Sequence, residues 1–505
     1  MMEHTPLVSK KTTDVFDLQH EFWPYLSLAF QMALANIARI ALTSIDSAFL
    51  GHLGTGALAG SSLATIWTQV PLFAVWAMAS ALVTLCGQAF GAKNYALMGV
   101  WFQMSLILVT LLSVPVFVWY WVLDVVLSRA TDDLDIVALG VRFARLLSFS
   151  IWPTLAYACM RQYLQAMNIV APTTIIGTIA IFLAIGANTF FIYGAGEWHG
   201  LGFDGSAIAT VFASWFQPIA LFLYAFTYRG YHKMAWDGWH WSAFTSDRWR
   251  TFLRMAVPLG INDGLTTLAN SCMSLIAAQL GAQVLASNAI LLTLWGMVWA
   301  LFWGIGCSTQ VKVANHLGAG HPNAARAASR LGFATIGAAT VLVALATLLG
   351  RDLVLRVYTS DAALIAMSND VLPLFVLAFC LDALEITMTA VLDGMGQMPF
   401  VSMVAFVAMW GIQLPFAYLF AIQWHCGFAG LWYGICLTAG FKLVVLTVKY
   451  TTIDWTQMAQ NAMEAMEAPD AVDWTMPPLA IASPANVLLT PSNGWGRTKS
   501  HVSDI

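Results

Sequence analysis

Five ionisable residues sit in apolar surroundings: Arg39, Asp46, Asp263, Asp382 and Glu385. Around Asp46 the chain reads RIALTSIDSAFLGHLGTGALAG, and around the last two it reads CLDALEITM. An i, i+3 spacing puts Asp382 and Glu385 on one face of a helix. Two like charges that close, away from water, suit proton exchange or cation binding. Asp46 stands alone. A carboxylate in the middle of a membrane helix costs on the order of 2.5–3.5 kcal/mol, so it faces a cavity or a partner. The partner on its own helix is Arg39, seven residues earlier. That spacing rises about 10 Å, so contact needs both side chains stretched. Asp263, near Pro258 and Gly260, either joins such a site or caps a kink.

The elements that must position these groups are membrane helices. The chain has 505 residues, 59% hydrophobic and 10% charged, against about 25% charged in a soluble domain. Residues 264–311 and 394–441 carry no Asp, Glu, Lys or Arg. Each is long enough for two crossings of about 20 residues. Twelve spans are expected: 24–50, 61–85, 100–123, 137–163, 172–194, 204–227, 251–279, 284–310, 328–350, 363–391, 397–422 and 425–449. Alternating ten-residue strands are absent, which excludes a β-barrel. The fold class is all-α, integral to the membrane. The polar start lacks the basic and apolar regions of a signal peptide. The cysteines form no CxxC pair, so no disulfide framework or metal site is indicated.

Lys and Arg in the loops give orientation. Lys93, Arg161, Arg229, Lys233, Arg248, Arg250, Arg254, Lys312, Arg326 and Arg330 fall in one set of loops. The other set holds Arg129, Arg351 and Arg356, with Arg142 and Arg145 at a span edge. Both termini are therefore expected in the cytoplasm. Arg39 is the one cation read as lying clearly inside the membrane.

Three pairs of segments repeat at an offset of 227: HLGTGALAG (52–60) with QLGAQVLAS (279–287), QAFGAKN (88–94) with NHLGAGH (315–321), and Pro172 with Pro399. An even number of spans per half makes the repeats parallel, as in carriers with a site between or within halves. The expected divisions are a cytoplasmic segment 1–23, a six-helix lobe 24–227, a linker 228–250, a second six-helix lobe 251–450, and a tail 451–505. The linker, with Trp236, Trp239 and Trp241, reads as an interfacial helix. The tail from about 455 onward reads as lacking fixed structure.

The ordered set GHLGTGALAG, LCGQAFGAKNYALMG, VANHLGAGHPNAARAASR and AVLDGMGQMP resembles the multidrug and toxic compound extrusion (MATE) family over residues 20–450. LCGQAFGA is similar to eukaryotic members, and Asp46 to bacterial and archaeal ones. The motif residues Gly51, Gly54, Gly87, Gln88, Gly91, Gly318, Gly320 and Pro258 are structural. The glycines are expected to permit tight turns where helices close, and small residues there allow close packing. GAKNY is not a phosphate loop, because it lacks the Gly-Lys-Ser/Thr ending and a preceding strand.

The resemblance implies that Asp46, with Asn188, belongs to a cation-coupling site in the first lobe. It implies that Asp382, with Glu385 beside it, serves coupling and cationic substrates in the second. The glutamate usual eight residues after the seventh-helix proline is replaced by Thr266, and Asp263 is the nearest acid. Trp295, Trp299 and Tyr157 could line a cavity through cation–π contact or serve as packing.

The implied function is efflux of small organic, cationic or amphipathic compounds in exchange for H⁺ or Na⁺, by alternating access. No cofactor, enzyme activity, nucleic acid or metal is expected, and a monomer in a plasma, vacuolar or other internal membrane is. Alternatives are an organic-acid exporter, which Arg39 could serve, and a lipid-linked precursor flippase, which would want more cavity cations.

Overall fold

The computed structural model describes residues 18–466, apart from 132, 237, 240, 357 and 360. The expected segment before Leu18 and most of the expected tail lie outside the described residues. Twelve rods run back and forth: α1 (Leu18–Leu53), α2 (Thr55–Gly91, interrupted at Ser80), α3 (Tyr95–Trp121), α4 (Leu134–Leu147 and Ile151–Ala166, joined by a 3-10 turn), α5 (Ala171–Tyr193) and α6 (Phe203–Tyr228), then α7 (Ser246–Gln279), α8 (Ala282–Gly318), α9 (Pro322–Leu349), α10 (Ala362–Gly394), α11 (Met398–Gln423) and α12 (Gly427–Thr451). Ten are long and apolar enough to cross a membrane. The other two are α4, which a turn divides, and α7, whose centre holds Pro258, Asn262, Asp263 and Asn270. The protein is a multi-pass membrane protein of two six-helix lobes.

The repeat is written in the backbone. Gly54 (φ 128°) matches Gly281 (φ 112°), Lys93 (φ 60°) matches Gly320 (φ 73°), and Gly200 (φ 70°) matches Gly427 (φ 57°), each pair 227 residues apart. Left-handed conformations are uncommon outside glycine, so three coincidences at one offset mark duplicated folding units.

Of the two roles expected of these glycines, close packing holds, and the turn role needs correction for three of them. Gly87 lies inside α2, while Gly91 and Gly318 are the last residues of α2 and α8; among the four, only Gly320 has positive φ. Their task is close approach. A Cβ on Gly91 would overlap the Asn315 carbonyl and lie 2.9 Å from Ala319 N. A Cβ on Gly318 would overlap the Gln88 carbonyl and lie 2.7 Å from Gln88 Cα. These contacts are repeat mates, and they press α2 of one lobe against α8 of the other. Polar groups seal the same place. Gln88 Nε2 donates to Gly394 O (3.1 Å), Thr84 Oγ1 donates to Asp393 O (2.7 Å), and Gln310 Nε2 donates to Thr84 Oγ1 (3.1 Å). With its amide nitrogen facing the carbonyls, Asn315 donates to Gly87 O at 2.8 Å and Ala166 O at 3.2 Å.

Nearer the start of α1, Tyr25 bonds Thr309 (2.8 Å) and Glu21 pairs with Lys312 (3.0 Å). These hydrogen bonds and this ion pair between the lobes lie toward the end of the molecule that holds Leu18. Polar contacts latch the lobes at that end.

Two further expectations fail. The linker forms two short 3-10 turns, Tyr231–Met234 and Trp241–Ala243, rather than an interfacial helix. It lies along α3, where Gln103 Nε2 donates to Gly238 O (3.0 Å) and Gly99 leaves room for the Ala235 carbonyl. The start of the tail is also ordered. Trp455–Met466 forms α13, an amphipathic helix whose buried Ala459, Ala462 and Met466 face the protein. Ala459 and Ala462 pack in the second lobe's cluster, while Met466 joins the first lobe's core. Asn94 Nδ2 donates to Met466 O at 2.9 Å. One helix thus spans the latch.

Candidate functional site

The first lobe holds Asp46 between three helices. Asn188 Nδ2 of α5 donates to Asp46 Oδ1 (3.0 Å), and Thr210 Oγ1 of α6 donates to Asp46 Oδ2 (2.7 Å). Sequence reasoning put Asp46 with Asn188; it missed Thr210, one of many hydroxyls in apolar helices and without a distinguishing signal. Among the described residues no cation pairs with Asp46. The alternative of an ion pair with Arg39 is not what the structure shows, because Arg39 turns to α2 and stacks on Trp76, its Cζ 5.3 Å from the ring centroid.

Arg161 is a second correction. The sequence reading placed it in a loop, but it is inside α4 and 5% exposed. Its guanidinium also lies over Trp76, 5.6 Å from the centroid, and Nη1 reaches Asn36 Oδ1 at 3.5 Å. Asp263 of α7 faces Arg39 across the lobe interface. It caps no kink: α7 continues through it, and its carbonyl accepts from Thr267 Oγ1 (2.8 Å).

In the second lobe Glu385 and Asp382 share a face of α10, as the spacing requires. Glu385 is 7% exposed and paired with Lys442 of α12 (3.0 Å), and Thr389 Oγ1 donates to its other oxygen (2.9 Å). Lys442 lies within the span expected at 425–449 and corrects the reading of Arg39 as the one interior cation. Asp382 makes no hydrogen bond or ion pair with a described residue; Lys442 and Glu385 are its charged neighbours. Asp393, near the latch, is 5% exposed, and its Oδ1 has no partner among the described residues. The sequence showed it only as a letter in a motif.

The aromatic candidates are packed rather than gathered. Trp295 meets Phe375 and Trp432 at 6.0 and 5.9 Å, and Trp299 stacks on Trp303 at 5.1 Å. Tyr157 donates to Thr173 O at 3.3 Å. Pro258 lies within α7, where its neighbour Gly260 lets α2 approach: a Cβ there would meet Met78 Cγ at 2.6 Å. Gly54 begins α2, and Gly51 lies in the last turn of α1.

The arrangement is one carboxylate site in each lobe, a third charged group of Arg39, Arg161 and Asp263 at the lobe interface, and a latch at one end. The MatE family profile matches residues 32–190 and 258–419, one stretch in each lobe. The chain belongs to the MatE family. Protein DETOXIFICATION 16 of Arabidopsis thaliana is 26% identical over 473 residues, covering 92% of this chain and 94% of that protein. Multidrug and toxin extrusion protein 2 of Mus musculus is 25% identical over 447 residues, covering 88% and 77%. The crystal structure of the eukaryotic MATE transporter AtDTX14 superposes with a TM-score of 0.81 at 23% identity, covering 89% of this chain and 99% of that one. The two MatE stretches bracket the linker and leave out α12, which brings Lys442. The fold and family are those of transporters.

Proposed function

We propose that this MatE protein is a secondary active exporter, monomeric, exchanging small cationic or amphipathic organic compounds for H⁺ or Na⁺. The observation that carries the reading is the Asp46 carboxylate, held by two donors and no cation deep in the first lobe. An unpaired carboxylate away from water is poised to take a proton or a metal cation. Protonation would turn one oxygen from acceptor into donor. The Thr210 hydroxyl can reverse its bond, but the Asn188 amide nitrogen cannot accept. A proton on Oδ2 is met by that reversal while Oδ1 still accepts from Asn188, and Thr210 keeps an acceptor in Ser206 O. Loss of the charge turns two charge-assisted bonds into weaker neutral ones, so protonation holds α1 less firmly to α5 and α6.

Asp382 offers the second lobe a carboxylate without a direct partner, suited to a cationic group. The latch at the Leu18 end would be the cytoplasmic gate with both termini in the cytoplasm. Alternating access requires the latch to part and the opposite ends to meet. The buried Arg161 beside Arg39 favours a second reading, export of compounds bearing an acid group, developed below.

The test is uptake of a fluorescent organic cation by inside-out proteoliposomes under an imposed pH gradient or Na⁺ gradient. Uptake driven by one gradient and abolished by Asp46→Asn or Asp382→Asn supports exchange through that lobe. Equal uptake with and without either gradient refutes coupling. No uptake by folded protein refutes cation extrusion.

A further inference from the structure

We propose that Arg39, Arg161 and Trp76 form a subsite that binds the carboxylate group of the transported compound. The inference rests on the transporter reading and extends it to the substrate's chemistry. Two guanidinium groups from different helices, α1 and α4, converge on the indole of a third, α2, at 5.3 and 5.6 Å. Arginine brings five N–H donors in a rigid fork. Between the two side chains, one hydrogen bond to a described residue exists, from Arg161 Nη1 to Asn36 Oδ1 at 3.5 Å. That distance is beyond the ordinary range for N–H···O. The Arg39 Nε is buried with no acceptor. No described carboxylate forms an ion pair with either; Asp263 is the acid that faces Arg39, from the other lobe.

Charge bookkeeping points the same way. Arg161, buried, and Arg39, partly exposed, face one acid at longer range. A buried charge without close compensation strongly destabilises a fold, and arginines are conspicuous at carboxylate sites because the fork matches two oxygens. Trp76 holds both guanidinium planes through cation–π contact. It leaves their N–H edges free of protein acceptors and is itself partly exposed, as are Arg39 and Asp263. A carboxylate arriving there would supply the missing acceptors.

Arg39 and Asp263 sit on opposite lobes, so an incoming anion competes with Asp263 for Arg39. Binding would weaken one tie across the lobe interface. Asp382, on the second lobe, remains available for a positive group on the same molecule. The favoured substrate is an amphipathic compound with a carboxylate.

The test uses the purified full chain in detergent and equilibrium binding of radiolabelled salicylate, with unlabelled salicylate and neutral salicylamide as competitors. Saturable binding displaced by salicylate and not by salicylamide is expected. Arg39→Gln should weaken it about tenfold or more, the loss of a charge-assisted pair. Arg39→Lys, which keeps the charge and loses the fork, should weaken it less and carries the test if Arg39→Gln fails to fold. Asp263→Asn should tighten binding, because the competing carboxylate is gone; a merely structural role for Arg39 would not produce that sign. Three results overturn the proposal: no saturable binding by folded wild type, equal displacement by salicylamide, or unchanged affinity in the Arg39 variants. Salicylate binding with these properties, together with failure of gradient-driven cation uptake, would refute the cation-exchange reading and leave this subsite standing.

Discussion

Replacing Gly91 by alanine tests the latch directly. The added methyl would overlap the Asn315 carbonyl and lie 2.9 Å from Ala319 N, both backbone atoms of the other lobe. Neither can swing aside as a side chain could, so α2 and α8 must separate locally. Overpacking of this kind costs about 1–3 kcal/mol. Separation also stretches the bonds from Gln88 to Gly394 and from Thr84 to Asp393, each with a net contribution of about 0.5–1.5 kcal/mol. A penalty of about 2–4 kcal/mol on the latched state alone shifts the latched-to-open ratio by about 30- to 700-fold, at about 1.4 kcal/mol per factor of ten. Gly318→Ala, the repeat mate, should do the same through the Gln88 carbonyl. The assay is labelling of Cys307, partly exposed on α8 between the lobes, in a chain whose other cysteines are replaced. Sealed vesicles with the Leu18 end outward receive a membrane-impermeant maleimide. Labelling should rise at least tenfold in either variant. Wild-type labelling rates in both, with wild-type thermal stability, would refute the claim that these glycines hold the latch by backbone contact.

Asp46→Asn should abolish pH-gradient-driven uptake yet leave the melting temperature unchanged or raised, because it removes an unpaired buried charge and keeps an acceptor for one of its two donors; a clear drop in thermal stability would assign Asp46 a structural task. Lys442→Met should destabilise the second lobe by about 3–5 kcal/mol by stranding Glu385, and Glu385→Gln added to it should recover most of that loss. Denaturation that shows additive losses would mean the two are not paired. Met466→Ala, at a site 2% exposed in the first lobe's core, should cost about 2–5 kcal/mol in thermal unfolding, and no change would mean α13 does not dock. Gly54→Ala and Gly281→Ala meet nothing within 4 Å, so each should lower stability by strain alone, about 1–3 kcal/mol, and by similar amounts; a large inequality would break the equivalence of the repeats.

The sequence by itself determined the crossings and the duplication. Twenty uncharged residues cannot remain in water, and a membrane forces their backbone into helices. The repeat survived as glycines and prolines because backbone conformation tolerates few substitutes there. The Asp46–Asn188 pairing and the shared face of Asp382 and Glu385 were legible too, the first through a family pattern and the second through helical spacing. What lies across helices was not. Arg161 reads as a loop residue because a span edge is uncertain by a turn, and only packing against Trp76 shows it buried. Lys442 falls inside the expected span 425–449 with no partner evident in the sequence, and only α12 laid beside α10 shows its pairing with Glu385. For the glycines both tight turns and close packing were open, because sequence shows their type but not their neighbours; whether a glycine frees its own backbone or admits another's is decided by which helix lies opposite. The order of α13 has the same origin. Its twelve residues are too few to hold a helix in water, and the surface of two lobes supplies the burial that holds it.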